Sequence, residues 1–248
     1  MLSTISIAAP AYNEGESVRG VVESWVHYLQ ARFQPDDYEI VVCDDGSGDN
    51  TGPLLGDLAR EFPCVRPCRH AVNQGAAAAL TTAIGHTTKN WVLLLDTDGQ
   101  YPIENLDAFL TAVESSPGPA FIGFRRHKVD SAFARFGSWA SGRCCNFFHG
   151  TRYRDFNCAW KLVEGPLLRD LYLEARGLNY SLEISSKILE RGVAMKEIEV
   201  VHRARTGGRS TRTLLRASLH RLLFVGYIGF RQFLFRTGLL QRRNYFPL

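Results

Sequence analysis

From Ile5 to Phe124 the chain alternates short apolar, β-branched runs with longer amphipathic stretches, and the runs end in turns rich in Asp, Asn and Gly. Ile5–Ala9 leads into PAYNEGES, Tyr38–Cys43 into Asp44-Asp45-Gly46-Ser47, Val65–His70 into Asn73-Gln74-Gly75, and Val92–Leu95 into Asp96-Thr97-Asp98-Gly99-Gln100. Between them, helical patterning covers Ser17–Arg32, the stretch to Glu61, Ala76–His86 and, from Pro102, the stretch to Val113; a fifth run, Ala120–Phe124, ends in Arg125-Arg126. Strand and helix taking turns in this way predict an α/β fold with a mainly parallel sheet flanked by helices. In such sheets ligands gather beyond the carboxyl ends of the strands, where these polar turns fall.

The sharpest of the turns is the one in VLLLDTDGQY, Val92–Tyr101. A strand of four apolar residues stops at two carboxylates one residue apart, and a turn at Gly99 lets Asp96, Asp98 and Gln100 converge on one cation. Hard divalent ions such as Mg²⁺ or Mn²⁺ take oxygen donors of this kind. The simpler alternative is an acidic turn capping a core strand.

Beyond Lys128 the alternation weakens. Phe133–Phe148 and Leu178–Arg191 read as helices, Arg152–Val163 as irregular and Glu197–His202 as a late strand, so the second half is expected to decorate the first. Arg212, Arg216 and His220 recur at four-residue spacing beside a Leu- and Phe-rich face, which is amphipathic helical patterning. Over Leu214–Leu240 aromatics alternate with arginines, as in a helix pair lying in a membrane interface or docked on its own domain. No apolar run reaches the roughly 20 residues needed to span a bilayer. The N-terminus lacks a signal-peptide pattern, and the six cysteines lack the spacing of a zinc site, so a cytoplasmic chain with reduced thiols is expected. A net charge of +4 over 248 residues is too small to imply nucleic acid, but the arginines crowded after Arg203 point to an anionic partner there.

Taken in order, PAYNE (Pro10–Glu14), DDGS (Asp44–Ser47), NQG (Asn73–Gly75) and DTDGQ (Asp96–Gln100) resemble the signature of family 2 inverting glycosyltransferases with a GT-A, Rossmann-like fold. GFRR (Gly123–Arg126), DFNCAWK (Asp155–Lys161), Glu183 and RTGGRS (Arg205–Ser210) are similar to the dolichyl-phosphate-mannose synthase-like branch, which transfers sugars to polyprenyl phosphates. The resemblance covers the chain to about Ser210 and implies a glycosyltransferase domain over residues 1–210, followed by amphipathic, membrane-interfacial helices over 211–248.

It implies roles as well. Pro10, Tyr12, Glu14, Asp44, Asp45, Gly75 and Asp96 would surround a UDP- or GDP-sugar, with Arg205 and Arg209 closing over the diphosphate. Asp96, Asp98 and Gln100 would hold the Mg²⁺ or Mn²⁺, and Arg125, Arg135 and Lys161 would meet the acceptor phosphate. Asp98, Arg125 and Asp155 are the candidate catalytic residues. A phosphate nucleophile is already anionic near neutral pH and needs no general base; a hydroxyl acceptor would need one, with Asp155 as the candidate. Asn13, Glu14 and Asp45 also suit turns and caps, and Trp160 suits a core. Asn157-Cys158-Ala159-Trp160-Lys161 stands where the branch usually has a Ser-Gly-Phe-Arg-like run. The enzyme would act at the cytoplasmic face of a membrane, bound peripherally or through a membrane partner. Two remoter alternatives are a phosphohydrolase built on Asp-x-Asp-Gly and a nucleotide-sugar-binding protein without turnover.

Overall fold

The apolar runs form strands because helices cover both of their faces. β1 (Ile5–Ala11), β2 (Tyr38–Asp44) and β4 (Trp91–Leu94) are buried at every position, the pattern of a parallel sheet enclosed on both sides. β3 (Val65–Arg69) is an edge strand with a buried start and exposed Arg66 and Pro67. The structure, a computed structural model, describes residues 2–127, 132–175, 179–204 and 214–240, with the side chains of 132–134 and 214–220 outside that description.

α1 (Val18–Gln30) buries Val18, Val22, Trp25, Val26 and Leu29, the three- and four-residue spacing of one helical face. α2 (Thr51–Glu61) lies beside it. In α3 (Ala76–Gly85), Ala77, Ala79 and Ala83 have so little bulk that the helix seats closely on β1 and β2. The stretch after Pro102 begins as a 3₁₀ turn, Ile103–Asn105, and continues as α4 (Leu106–Ser115).

Among the described residues the sheet has seven strands in the order β3-β2-β1-β4-β6-β5-β7, where β5 is Ala120–Arg125, β6 is Lys161–Glu164 and β7 is Lys196–Val200. β1 pairs in parallel with β2 and β4, and β5 with β7; β6 runs antiparallel to both β4 and β5. The mainly parallel α/β architecture is therefore as expected, with two corrections. Part of the supposedly irregular Arg152–Val163 is a central strand, concealed because the fully buried Lys161 interrupts its apolar run. The second half accordingly completes the sheet rather than decorating it.

The remaining helices are α5 (Ala132–His149), the short α6 (Gly165–Arg169), α7 (Tyr180–Glu190) and α8 (Leu214–Arg236). Instead of a helix pair, α8 is one continuous helix, and it packs against α5. Its buried stripe is Val225, Ile228, Arg231 and Gln232, of which Val225 and Ile228 join a small apolar cluster with Cys145, Phe156 and Leu182. Leu222, Leu223, Phe230 and Phe233 remain exposed, as do Phe136, Trp139 and Phe147 of α5. Among the described residues no helix is long and apolar enough to cross a membrane. All six cysteines are free thiols.

Candidate functional site

Strand order reverses direction between β1 and β4, and the crevice beyond their carboxyl ends is where open α/β sheets bind ligands. Here the first and fourth polar turns are tied together. Thr97 Oγ1 donates to the Pro10 carbonyl at 3.0 Å, and Ser17 Oγ reaches the Thr97 carbonyl at 3.3 Å. Asn13 takes a left-handed φ of 54°, which lets its Oδ1 accept from Gly48 N at 3.0 Å while its own N–H donates to Ser47 Oγ at 2.9 Å. The PAYNE and DDGS loops thus form one wall.

On that wall Tyr12 is exposed, whereas Glu14 is buried, with Ser17 Oγ donating to its Oε2 at 3.1 Å and its backbone N–H to Thr51 Oγ1 at 2.8 Å. Asp44 Oδ1 accepts from Ser47 N at 2.9 Å, while Oδ2 lies 3.3 Å from Arg69 Nε and accepts no hydrogen bond. Asp45 is a loop organiser. Its Oδ1 accepts from Gln74 N at 2.9 Å and faces His70 Nδ1 at 2.8 Å, and its Oδ2 accepts from Gly75 N at 2.7 Å. The turn reading of Asp45 therefore has direct geometry behind it, and Gly75, at φ 98°, is fixed by the same carboxylate.

At the floor, Asp98 is 8% exposed and its Oδ1 accepts from Gln100 N at 3.0 Å, across a turn in which Gly99 has φ 72°. Asp96 is half-buried, and Tyr180 OH donates to its Oδ1 at 2.6 Å. Gln100 also binds the chain leaving β7: its carbonyl accepts from Arg203 N at 2.8 Å. His202, next in that segment, lies against Tyr101 with ring centroids 5.0 Å apart. Among the described residues no three His, Cys, Asp or Glu side chains group as a self-sufficient metal cage. Two carboxylates and an amide oxygen in one turn do fit a hard divalent ion that takes its other ligands from a diphosphate or water.

The third group lies at the end of β5. Arg125 and Asp155 form a buried two-point pair, with Nε to Oδ2 at 2.7 Å and Nη2 to Oδ1 at 3.3 Å. Beside them a groove of about 600 Å³ runs between α5 and residues 151–156, lined by Trp139, Arg143, Phe147, Arg152 and Tyr153 with Asp155 at its side. Arg135 is exposed on α5. Lys161 is not brought to this surface: it is 0% exposed, and its ammonium donates to the Cys158 carbonyl and, at 2.7 Å, to Ser181 Oγ. Burial pushes it down to about 8. Trp160 is core, against Tyr101 and Phe109. Arg205 and Arg209 lie outside the described residues. Tyr180, Arg69 and His70 were not foreseen, because no motif links these distant residues to the acidic turns they contact.

Residues 6–164 match the family described as Glycosyl transferase family 2. The chain is 31% identical over 114 residues to a dolichyl-phosphate beta-glucosyltransferase of Trichomonas vaginalis, covering 45% of this chain and 35% of that one. It is 27% identical over 218 residues to an undecaprenyl-phosphate 4-deoxy-4-formamido-L-arabinose transferase of Serratia proteamaculans, covering 87% and 64%. The chain thus spans less than two thirds of either relative's length. Among solved structures, glucosyl-3-phosphoglycerate synthase from Mycobacterium tuberculosis, in complex with Mn²⁺, UDP and glucosyl-3-phosphoglycerate, superposes with a TM-score of 0.66 at 20% identity, over 90% of this chain and 80% of that one. Mannosyl-3-phosphoglycerate synthase from Rubrobacter xylanophilus gives 0.70 at 18% identity, over 96% and 76%. At these identities the likeness is one of fold.

Proposed function

This chain belongs to glycosyl transferase family 2, and from that premise we propose that it moves a sugar from a UDP- or GDP-linked donor to a polyprenyl phosphate, with inversion at the anomeric carbon. The observation that carries the choice of acceptor is the Arg125–Asp155 pair. A carboxylate that spends both oxygens on a buried guanidinium is poorly set to take a proton from a hydroxyl, but well set to hold that guanidinium toward a phosphate. An acceptor phosphate oxygen is already anionic, attacks the anomeric carbon without a base, and displaces the nucleoside diphosphate from the opposite side. The names of the two sequence relatives support the same acceptor class.

In this reading Tyr12, Glu14 and Asp44 meet the nucleoside, and Asp96, Asp98 and Gln100 would hold Mg²⁺ or Mn²⁺. The ion, when bound, supplies charge neutralisation for the departing diphosphate. Arg125 and the exposed Arg135 meet the acceptor phosphate, and the aromatic groove beside Asp155 takes the first part of its apolar chain. Arg205 and Arg209, which lie outside the described residues, would neutralise charge on the diphosphate. Residues 1–210 form the transferase domain, and the exposed aromatics of α5 and α8 rest on the membrane that holds the acceptor.

Asp155→Asn separates the two acceptor chemistries. If Asp155 holds Arg125, the variant raises the KM for polyprenyl phosphate about tenfold or more and keeps the shape of the pH profile. If Asp155 is a base, kcat falls by about 10²–10⁴ and the acidic limb of the profile disappears.

A further inference from the structure

The phenol of Tyr180 reaches Asp96 from an element that carries none of the motif turns. Tyr180 opens α7, is buried, and donates to Asp96 Oδ1 at 2.6 Å, the length of a charge-assisted O–H···O⁻ bond. The helix behind it is held by buried polar contacts. Ser181 Oγ donates to the Cys158 carbonyl at 2.7 Å, and Ser185 Oγ to the Phe156 carbonyl at 3.1 Å. Glu183 accepts from Glu174 N and Ala175 N at 2.7 and 2.8 Å and pairs with Lys187 at 3.0 Å. Lys187 and Arg231 of α8 both reach Glu174 Oε2 at 3.0 Å. The hydroxyl is therefore mounted on a helix with little freedom to turn or slide.

We propose that Tyr180 is a positioning residue for Asp96, fixing the plane of that carboxylate so that it is presented to a divalent ion and nucleoside diphosphate in one orientation. The proposal rests on the reading of Asp96 and Asp98 as the ion-binding turn. A carboxylate on a half-buried turn otherwise samples several rotamers, and each binding event must order it. A hydrogen bond from a fixed donor removes that cost, and outer partners of this kind are typically worth about 10–100-fold in metal affinity.

The experiment compares wild type, Tyr180→Phe and Asp98→Asn by calorimetric titration of Mn²⁺ in the presence of UDP or GDP, whichever the wild-type chain binds, and by steady-state kinetics. Phe keeps the ring and its packing and removes only the donor. The expected result is a Tyr180→Phe chain of wild-type melting temperature whose Mn²⁺–nucleotide affinity falls about tenfold or more, with kcat at saturating metal and donor within about threefold of wild type. If Asp98→Asn loses Mn²⁺ binding while Tyr180→Phe keeps wild-type affinity within twofold, the positioning role is overturned and the ion site stands. If Asp98→Asn also binds Mn²⁺–nucleotide as wild type does, the reading of the turn itself fails, and this inference with it.

Discussion

Lys161 carries a charge into the interior for the sake of two hydrogen bonds, and that has a measurable cost. Its ordinary value of 10.5 falls to about 8, because burial disfavours the charged form; at about 1.4 kcal/mol per unit this is roughly 3 kcal/mol. Below pH 8 the lysine is protonated in both folded and unfolded chains, and the penalty is complete. Between pH 8 and 10.5 the unfolded chain holds more protons, so this residue's penalty is relieved as pH rises. Lys161→Met is expected to gain about 1–2 kcal/mol at pH 7, less than the whole penalty because hydrogen bonds are lost, and to forfeit that gain by about pH 10. Urea denaturation at the two pH values checks it. At this scale the sequence is legible for chemical type but not for partner. Asp44 and Asp45 look alike in DDGS, yet one faces Arg69 and the other holds the Gly75 turn. Arg125→Ala, with Asp155 left behind, should weaken acceptor use at least tenfold more than nucleotide binding; equal losses in both would contradict the acceptor assignment.

The elements were readable wherever apolar periodicity ran unbroken, which is why β1, β2, β4 and the helices between them stand close to their expected positions. β6 was not readable, since a lysine in its first position disguises a four-residue strand that is buried between β4 and β5, two strands of the first half of the chain. α8 was legible as amphipathic but not in its seat, which is partly ionic. Arg231, 1% exposed, donates to Glu190 at 2.8 Å and to Glu174 at 3.0 Å. Arg231→Ala leaves Glu190 buried without its main partner and should destabilise the chain by about 3–5 kcal/mol, whereas Arg231→Leu combined with Glu190→Leu should recover most of the loss. Thermal melts of the three chains measure both effects. The opposite side of α8 exposes Phe230 and Phe233 at 60% and 56%. Replacing both with Ser should abolish co-sedimentation with anionic vesicles while leaving the melt unchanged; unaltered sedimentation would remove α8 from the membrane contact.

For the molecule as a whole, the arrangement that matters is topological. One reversal of strand order sets the acidic turn after β4 beside the loop after β1, and the late strand β7 returns the chain to Gln100 through Arg203. Alternating strands and helices in the sequence foretold the parallel sheet and its polar edge. They could not foretell that β6 would enter antiparallel at its centre, or that α7 would reach Asp96, because those contacts join segments 84 or more residues apart in one case and depend on a disguised strand in the other. The proposed reaction brings donor diphosphate, ion and an acceptor phosphate together at this edge. It is tested most directly by incubating the purified chain with a panel of nucleotide sugars and Mg²⁺ or Mn²⁺, with and without a short polyprenyl phosphate, and identifying the products. The predicted result is consumption of a UDP- or GDP-sugar only when the lipid phosphate is present, yielding a glycosyl phospholipid of inverted anomeric configuration. Transfer to hydroxyl acceptors with the lipid phosphate ignored would contradict it.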